Sequence, residues 1–352
     1  MRLVIHEWCC SGGLAGPEAR DIVHDGDDIE ALACEGRAMF FAVLTDAVGD
    51  GGFEVAVLVD EARRIDLPDG ILRRAVPPGD ELAVLVEESR QADATLVIAP
   101  ETAGMLAHRV AAVRAAAGTV LAPSPRFIEI ASDKQTTIDT LAAAGVAVPA
   151  GRPLAAGEAW PRWFHLPAVR KHRASVGCDE VLIVRAGDAL PPPVAVPTRL
   201  EAFAVGIPVG VSCILGPDGV QPLPPMRQRF AAGSYPQYLG GEPLVEPTLR
   251  QRATRLAVRA VAALAAAAGS TQAGWVGVDM ILGPRDDGLD DRVLEVNPRL
   301  TTSFVGLAAT APRSLVRAIV DAAAGRSPSF SDTPWGTAFT LVDDERSSPA
   351  TS

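Results

Sequence analysis

Apolar positions in the first third of the chain come in short unbroken runs, "RLVIHEW", "FEVAVLVD" and "ATLVIAPE". Unbroken runs of that length read as strands buried on both faces, not as half-exposed ones. Between or after them lie helical runs at 30–48 and 104–117. Strand–helix alternation predicts an open parallel α/β sheet, whose ligand crevice opens at the carboxyl ends of the strands. Two carboxylates stand at such ends, Glu7 before "WCCSGG" and Glu101 after "LVIAP". Each is a candidate for binding a substrate and equally for a solvated place beside a helix start.

Further along, "SPRFIEIASDKQTTIDTLAAAGVAVPAG" reads as helix, break, helix, ending at Gly145 and Pro149. Ser132 and Asp133 are candidate caps, which places Lys134 near the start of the second helix. Short strands follow in "WFHLPAVRKHR" and "EVLIVRA", with the loop "HRASVGCDE" between them, and two more lie around Gly206. The stretch 219–248 is rich in Pro and Gly and holds both tyrosines, Tyr235 and Tyr238; its irregular pattern predicts a binding loop. Helices are expected at 249–268 and 313–324, and the closing "SSPATS" is expected to fray. There is no internal repeat. The expected divisions are 1–123, 124–205, 206–330 and a tail at 331–352.

Two strands near the C-terminus carry the chemistry. In "GWVGVDMIL", alternation puts Val276, Val278 and Met280 on one face and Gly277, Asp279 and Ile281 on the other. In "LEVNPRL" it puts Leu294 and Val296 on one face and Glu295 and Asn297 on the other. A turn-rich loop, "GPRDDGLDD", joins the two, so Asp279, Glu295 and Asn297 can share one sheet face. Buried like charges need a counter-charge. A Mg²⁺ ion, held by one or two carboxylates together with substrate phosphates, is preferred here over an arginine network.

Composition narrows the partners. The 352 residues are 48% hydrophobic and 21% charged, enough for two or three globular domains. A net charge of −11 disfavours nucleic acid. No membrane span is expected, since the alanine-rich stretch 253–268 is broken by Arg255 and Arg259. "MRLVIHEW" reads as a strand and not a signal peptide. Five cysteines (Cys9, Cys10, Cys34, Cys178 and Cys213), without C-x-x-C spacing, suit reduced thiols in a cytoplasm. Of 32 basic residues only Lys134 and Lys171 are lysine. A compact ammonium reaches phosphate oxygens where a planar guanidinium does not fit, so these two are candidate phosphate contacts.

In order, "SDK", "PAVRK", "ASVG", "LEAFAVG", "GVDMIL" and "LEVNPR" resemble the ATP-grasp superfamily over about residues 124 to 310. The resemblance implies an ATP-grasp fold, two α+β lobes holding ATP, behind an N-terminal open parallel α/β domain. It also implies activation of a carboxylate as an acyl phosphate. Lys134 and Lys171 would contact the phosphates, and the loop at Ser175 and Gly177 would close over them. Glu201 would accept from the adenine amino group, with the backbone at Phe203 and Ala204 reading the adenine edge. Asp279, Glu295 and Asn297 would hold Mg²⁺, for which Mn²⁺ can substitute. Arg299 would stabilise the transferred phosphoryl group or the acyl phosphate, and Lys171 is the second catalytic candidate. Two departures stand out: Pro208 lies where many relatives carry a glutamate for the ribose, and the phosphate loop has a single glycine.

The N-terminal "HEWCCSGG" and "APETAGML" resemble the branch that includes tyramine–L-glutamate ligase of methanofuran biosynthesis. That resemblance implies an amino-acid carboxylate, L-glutamate, joined to tyramine, tyrosine or a similar amine. Glu7, Gly12, Gly13, Glu101, Tyr235, Tyr238, Thr302 and Ser303 are the substrate candidates. The expected partners are a small acid and a small amine, with no nucleic acid and no membrane, and a homodimer is left open. A small-molecule kinase on the same fold and a non-catalytic nucleotide-binding protein are the alternatives.

Overall fold

The first strand is buried from Leu3 to Glu7 because it lies inside a sheet. The computed structural model describes residues 1–16, 18, 19, 26–63, 65–174, 181–269, 273–328, 330 and 335–341. β1 (Arg2–Glu7), β2 (Glu54–Asp60), β3 (Leu72–Val76) and β4 (Ala94–Ile98) pair in the order β3-β2-β1-β4. All three pairings are parallel, with Val4 opposite both Ala56 and Thr95. The sequence predicts three of these strands. It misses β3, "LRRAV", whose first four residues are exposed: this is an edge strand that arginines keep soluble. Helices α1 (Gly26–Asp50), α2 (Glu81–Ser89) and α3 (Met105–Ala115) accompany the sheet.

α4 (Pro125–Ser132) starts at Ser124, whose Oγ accepts from Phe127 N at 3.2 Å. α5 (Lys134–Ala143) starts at Asp133, whose Oδ1 accepts from Thr136 N at 2.7 Å, so Lys134 is the first residue of its helix. A small antiparallel sheet follows: β5 (Gly151–Leu154), β6 (Ala168–His172), β7 (Leu182–Val184) and β8 (Thr198–Ala202), ordered β5-β8-β6-β7. Leu154, Trp160, Ala168, Val184 and Leu200 form its core.

The large lobe is a seven-stranded sheet made of β9 (Ile207–Gly216), β10 (Gly219–Pro222), β11 (Met226–Phe230), β12 (Tyr238–Pro243), β13 (Gly274–Leu282), β14 (Arg292–Asn297) and β15 (Phe339–Thr340). The order is β14-β13-β9-β11-β12-β15, with β10 folded back on β9. The expectation of an irregular binding loop over 219–248 is therefore corrected. That stretch holds three strands, and its prolines and glycines mark turns and a bulge between Arg229 and Phe230. α6 (Pro247–Ala268) packs on one face together with α4 and α5. On the other face, α7 (Ser303–Ala308) and α8 (Leu315–Ala323) share a core with α1 and the parallel sheet, through Phe40, Leu44, Phe304 and Ile319. This common core joins the N-terminal unit to the large lobe. Among the described residues no helix is long and apolar enough to cross a membrane.

Candidate active site

The antiparallel register of β13 and β14 sets Asp279 opposite Glu295 and Gly277 opposite Asn297, all on the face away from α6. Val276, Val278 and Met280 are fully buried on the other face, as their alternation predicts. Leu294 departs from its expected face. A bulge between Asp279 and Met280 leaves it unpaired, so Val293 and Val296 enter the core while Leu294 joins the cavity wall.

Asp279 accepts from Asn297 Nδ2 and from Gln228 Nε2, each at 2.8 Å. Gln228 reaches over from β11, two strands away, past Gly210. Burial pushes the Asp279 carboxyl up to about 6; the facing Glu295 adds to the rise, and Asn297, Gln228 and Arg299 oppose it. Glu295 is 3.3 Å from Lys134 Nζ.

This face is the floor of a cavity of about 510 Å³ between the small and large lobes. From the small lobe, Lys171 enters beside Glu201, Nζ to Oε2 at 2.8 Å. Arg199 takes the other Glu201 oxygen at 2.8 Å. Burial works against the Lys171 charge, but Glu201 and Glu295 outweigh it and raise its pKa. Burial likewise opposes the Glu201 charge, and Lys171 with Arg199 holds that pKa below the usual carboxylate range. Both Glu201 oxygens are thus engaged by cations. The linker wall follows with Phe203, Ala204 and Val205; Phe203 N is spent on Pro167 O at 3.1 Å. Pro208 does line the cavity.

At the far end stands Arg299. Its Nε donates to Glu101 Oε2 at 2.9 Å and its Nη1 to Leu300 O at 3.1 Å. Burial opposes the guanidinium charge, but Glu101, Glu35 and Glu295 more than offset it. A hydroxyl cluster adjoins: Ser212 Oγ lies 2.8 Å from Ser303 Oγ, and Thr301 Oγ1 lies 2.9 Å from Ser303 Oγ. Gly277 makes room for it, since a Cβ there would sit 2.5 Å from Thr301 Cγ2. Thr302, Ser303 and Tyr238 line the cavity as well.

Several expected residues stand elsewhere. Glu7 is 3% exposed and accepts from Cys10 N at 2.8 Å and Cys9 N at 3.3 Å, beneath Gly36. Burial raises its pKa against those hydrogen bonds. Its substrate role is corrected: the carboxylate closes the turn after β1. Gly12 and Gly13 belong to that turn. Gly12 takes φ +93°, and Gly13 crosses the indole of Trp8 where a Cβ would lie 2.1 Å from Nε1. Tyr235 is 68% exposed and does not line the cavity, because the β11–β12 connection turns it outward. Glu101 and Lys134 lie behind the lining, each held to a cavity residue. Ser175 and Gly177, like Cys178 and "SSPATS", fall outside the described residues. Arg199, Gln228, Ser212 and Glu35 are site residues the sequence reading missed. Alternation in "TRLEA" could have paired Arg199 with Glu201; the other three need the strand order or the domain packing.

No group of three or more His, Cys, Asp and Glu side chains is gathered for a metal among the described residues. The floor fits Mg²⁺ differently, with two facing carboxylates and one amide. The mutual repulsion that lifts Asp279 is what a dication would neutralise, and Asn297, with Nδ2 turned to Asp279, can present Oδ1.

Residues 131–303 match the family described as ATP-grasp domain, and residues 55–128 match the pre ATP-grasp 3 domain. An ATP-grasp superfamily protein from Archaeoglobus fulgidus is 20% identical, with TM-score 0.66 and 96% of each chain covered. L-amino acid ligase from Bacillus licheniformis is 15% identical, with TM-score 0.63, 93% of this chain and 74% of that one covered. Biotin carboxylase from Campylobacter jejuni, solved as an ATP complex, is 17% identical, with TM-score 0.65, 93% of this chain and 72% of that one covered. No curated protein matches the chain.

Proposed function

Since the chain belongs to the ATP-grasp superfamily, we propose that it is an ATP-dependent ligase joining an amino-acid carboxylate to an amine, with release of ADP and phosphate. The observation that carries this reading is one continuous wall. The Asp279–Glu295 pair forms its floor, Lys171 enters from the facing lobe, and Arg299 stands at the far end. Asp279, Glu295 and Asn297 would hold Mg²⁺, which would neutralise phosphate charge. Lys171, kept charged by Glu201, would bind a nucleotide phosphate, and Lys134 would steady Glu295 from behind the cavity wall, reaching a second phosphate only by leaving that carboxylate. Phe203, Ala204 and Val205 would flank the adenine.

The substrate carboxylate would attack the γ-phosphorus as the bond to the β-bridging oxygen breaks. The amine nitrogen would then attack the acyl carbon, phosphate would leave, and the ammonium proton would pass to solvent. Arg299 would hold the oxygens that gain charge, so most of the catalysis is positioning and electrostatics. L-Glutamate as the acid and tyramine or tyrosine as the amine are the first pairs to try, on the "HEWCCSGG" and "APETAGML" resemblance. Incubation with Mg-ATP, acid and amine, followed by ADP and product mass, tests the reading. ADP that forms only with both substrates, plus an amide, supports it. A stable phosphorylated product from one substrate alone turns it into a kinase.

A further inference from the structure

Glu295, Asp279 and Gly210 stand in one row across β14, β13 and β9. Gly210 puts no side chain into that row, and a Cβ there would lie 3.3 Å from Gln228 Nε2 and 3.4 Å from Asp279 Oδ1. Through this gap Gln228 donates to Oδ1 of Asp279, while Asn297 Nδ2 donates to Oδ2, each at 2.8 Å. One amide on each oxygen fixes the plane of the carboxylate. An ionised carboxyl has about four lone-pair sites, so each oxygen keeps one for a metal. The arginines beside Gln228 in "MRQRF" turn elsewhere. Arg227 lies 3.9 Å from Glu242, and Arg229 donates to Phe339 O and Thr340 Oγ1. In a chain so rich in arginine, the β11 residue that reaches Asp279 is neutral. A guanidinium there would cancel the charge that a dication needs. An amide orients the carboxylate and leaves its charge in place.

We infer that Gln228 is a positioning residue that makes the floor selective for a small dication: by fixing the Asp279 carboxylate it favours Mg²⁺ over Ca²⁺. This rests on the metal site of the proposed function and adds to it the residue that sets which ion is preferred. Mg²⁺ demands near-ideal octahedral ligands at about 2.0–2.1 Å, whereas Ca²⁺ accepts about 6–8 oxygens at about 2.3–2.6 Å in flexible arrangements. A carboxylate free to turn therefore costs the smaller ion more than the larger one. Without Gln228, Asp279 has Asn297 alone to orient it, and it faces the charge of Glu295 across the β13–β14 pair. Repulsion then turns it away from the place the two ligands must share. Groups that orient metal ligands typically contribute about 10–100-fold in metal affinity, and the rigid ion bears most of that loss.

The test is competition binding without turnover, on the full chain with Mn²⁺ and a non-hydrolysable ATP analogue. Bound Mn²⁺ is followed by electron paramagnetic resonance while Mg²⁺ or Ca²⁺ displaces it. The affinity of each ion for the nucleotide itself is common to all the proteins compared. It cancels when the Mg²⁺-to-Ca²⁺ affinity ratio of a variant is divided by that of the wild type. Gln228→Met, close in volume and without a donor, is expected to lower the ratio by more than about fivefold, chiefly through Mg²⁺. Gln228→Asn keeps an amide but is one methylene short of Asp279, and is expected to do the same. A smaller fall in either variant, an equal loss for both ions included, overturns the assignment, since lost packing alone does not move the ratio. A wild type that leaves Mn²⁺ on the free nucleotide removes the metal floor and Gln228 with it. Amide formation from acid, amine and Mg-ATP, measured separately, decides the ligase. An unmoved ratio with amide formed leaves the ligase standing and removes Gln228. A lowered ratio without amide keeps Gln228 at a metal site and removes the ligase.

Discussion

Asp279→Asn separates stability from turnover. In the metal-free protein the Asp279 carboxyl is buried against Glu295 and raised from 3.8 to about 6. A carboxyl raised on folding binds its proton more tightly in the native state. The Asp279 contribution to stability therefore falls as pH rises from about 4 to about 6 and is flat above that. The gap between 3.8 and about 6 corresponds to roughly 3 kcal/mol of cost carried at pH 8. Asparagine removes the charge but places an NH₂ against one of two amide donors, Asn297 Nδ2 or Gln228 Nε2, now 2.8 Å from the carboxylate. One lost hydrogen bond with a donor left facing a donor costs about 1–3 kcal/mol. The two effects nearly cancel. Metal-free Asp279→Asn should melt at pH 8 within a few degrees of the wild type, or above it, while losing the share of the pH dependence between 4 and 6 that Asp279 contributes. Turnover should fall by orders of magnitude at saturating Mg-ATP, because the floor has lost one of its two carboxylates. Melting curves from pH 4 to 8 without metal, with ADP release measured on the same samples, check both halves. A variant markedly less stable than wild type at pH 8 would refute the electrostatic argument, and near-wild-type ADP release would remove the residue from the site.

Other substitutions probe the rest of the site. Lys171→Arg should weaken ATP binding or slow turnover by well over tenfold, since Arg199 already occupies the other Glu201 oxygen and a second guanidinium must crowd beside it; unchanged nucleotide affinity and rate would count against a phosphate contact. Glu7→Gln should leave the KM for the acid substrate unmoved, because its oxygens serve Cys9 N and Cys10 N, while denaturant unfolding shows a change of at most about 1–3 kcal/mol, the lost acceptor being opposed by relief of a buried charge; a raised acid KM would return Glu7 to the substrate site. Gly277→Ala should cut turnover more than it shifts the melting temperature, since its Cβ would drive into Thr301 and displace the hydroxyls at Ser212 and Ser303; a rise in acid KM with ATP KM unchanged would locate the damage. Chelation should abolish ADP release, with Mg²⁺ restoring it and Mn²⁺ substituting; activity that persists in chelator would exclude the metal reading of Asp279 and Glu295.

Local patterning determined a good deal. The unbroken apolar runs announced a buried parallel sheet, Asp133 announced the helix that begins with Lys134, and alternation in "GWVGVDMIL" put Asp279 on a face of its own. These features depend on a period of two or on a cap a few residues away, so they are written in adjacent positions. Leu294 shows where that rule stops. A bulge is a relation between two strands, and it moved this side chain from the expected core to the cavity wall. Gln228 reaches Asp279 only because β11 lies beside β9 and Gly210 leaves a gap. Glu101 meets Arg299 across 198 residues because one core joins the parallel sheet to α7 and α8. Glu7 and Glu35 make the same point in opposite directions. The sequence placed Glu7 at a strand end, where ligands bind, but backbone amides of its own turn took the carboxylate. Glu35 lay unremarked inside a helix until packing against the large lobe brought it to the cavity. Strand order, bulges and domain docking are set by non-local burial, and single-chain periodicity carries no record of which distant surface a residue will meet.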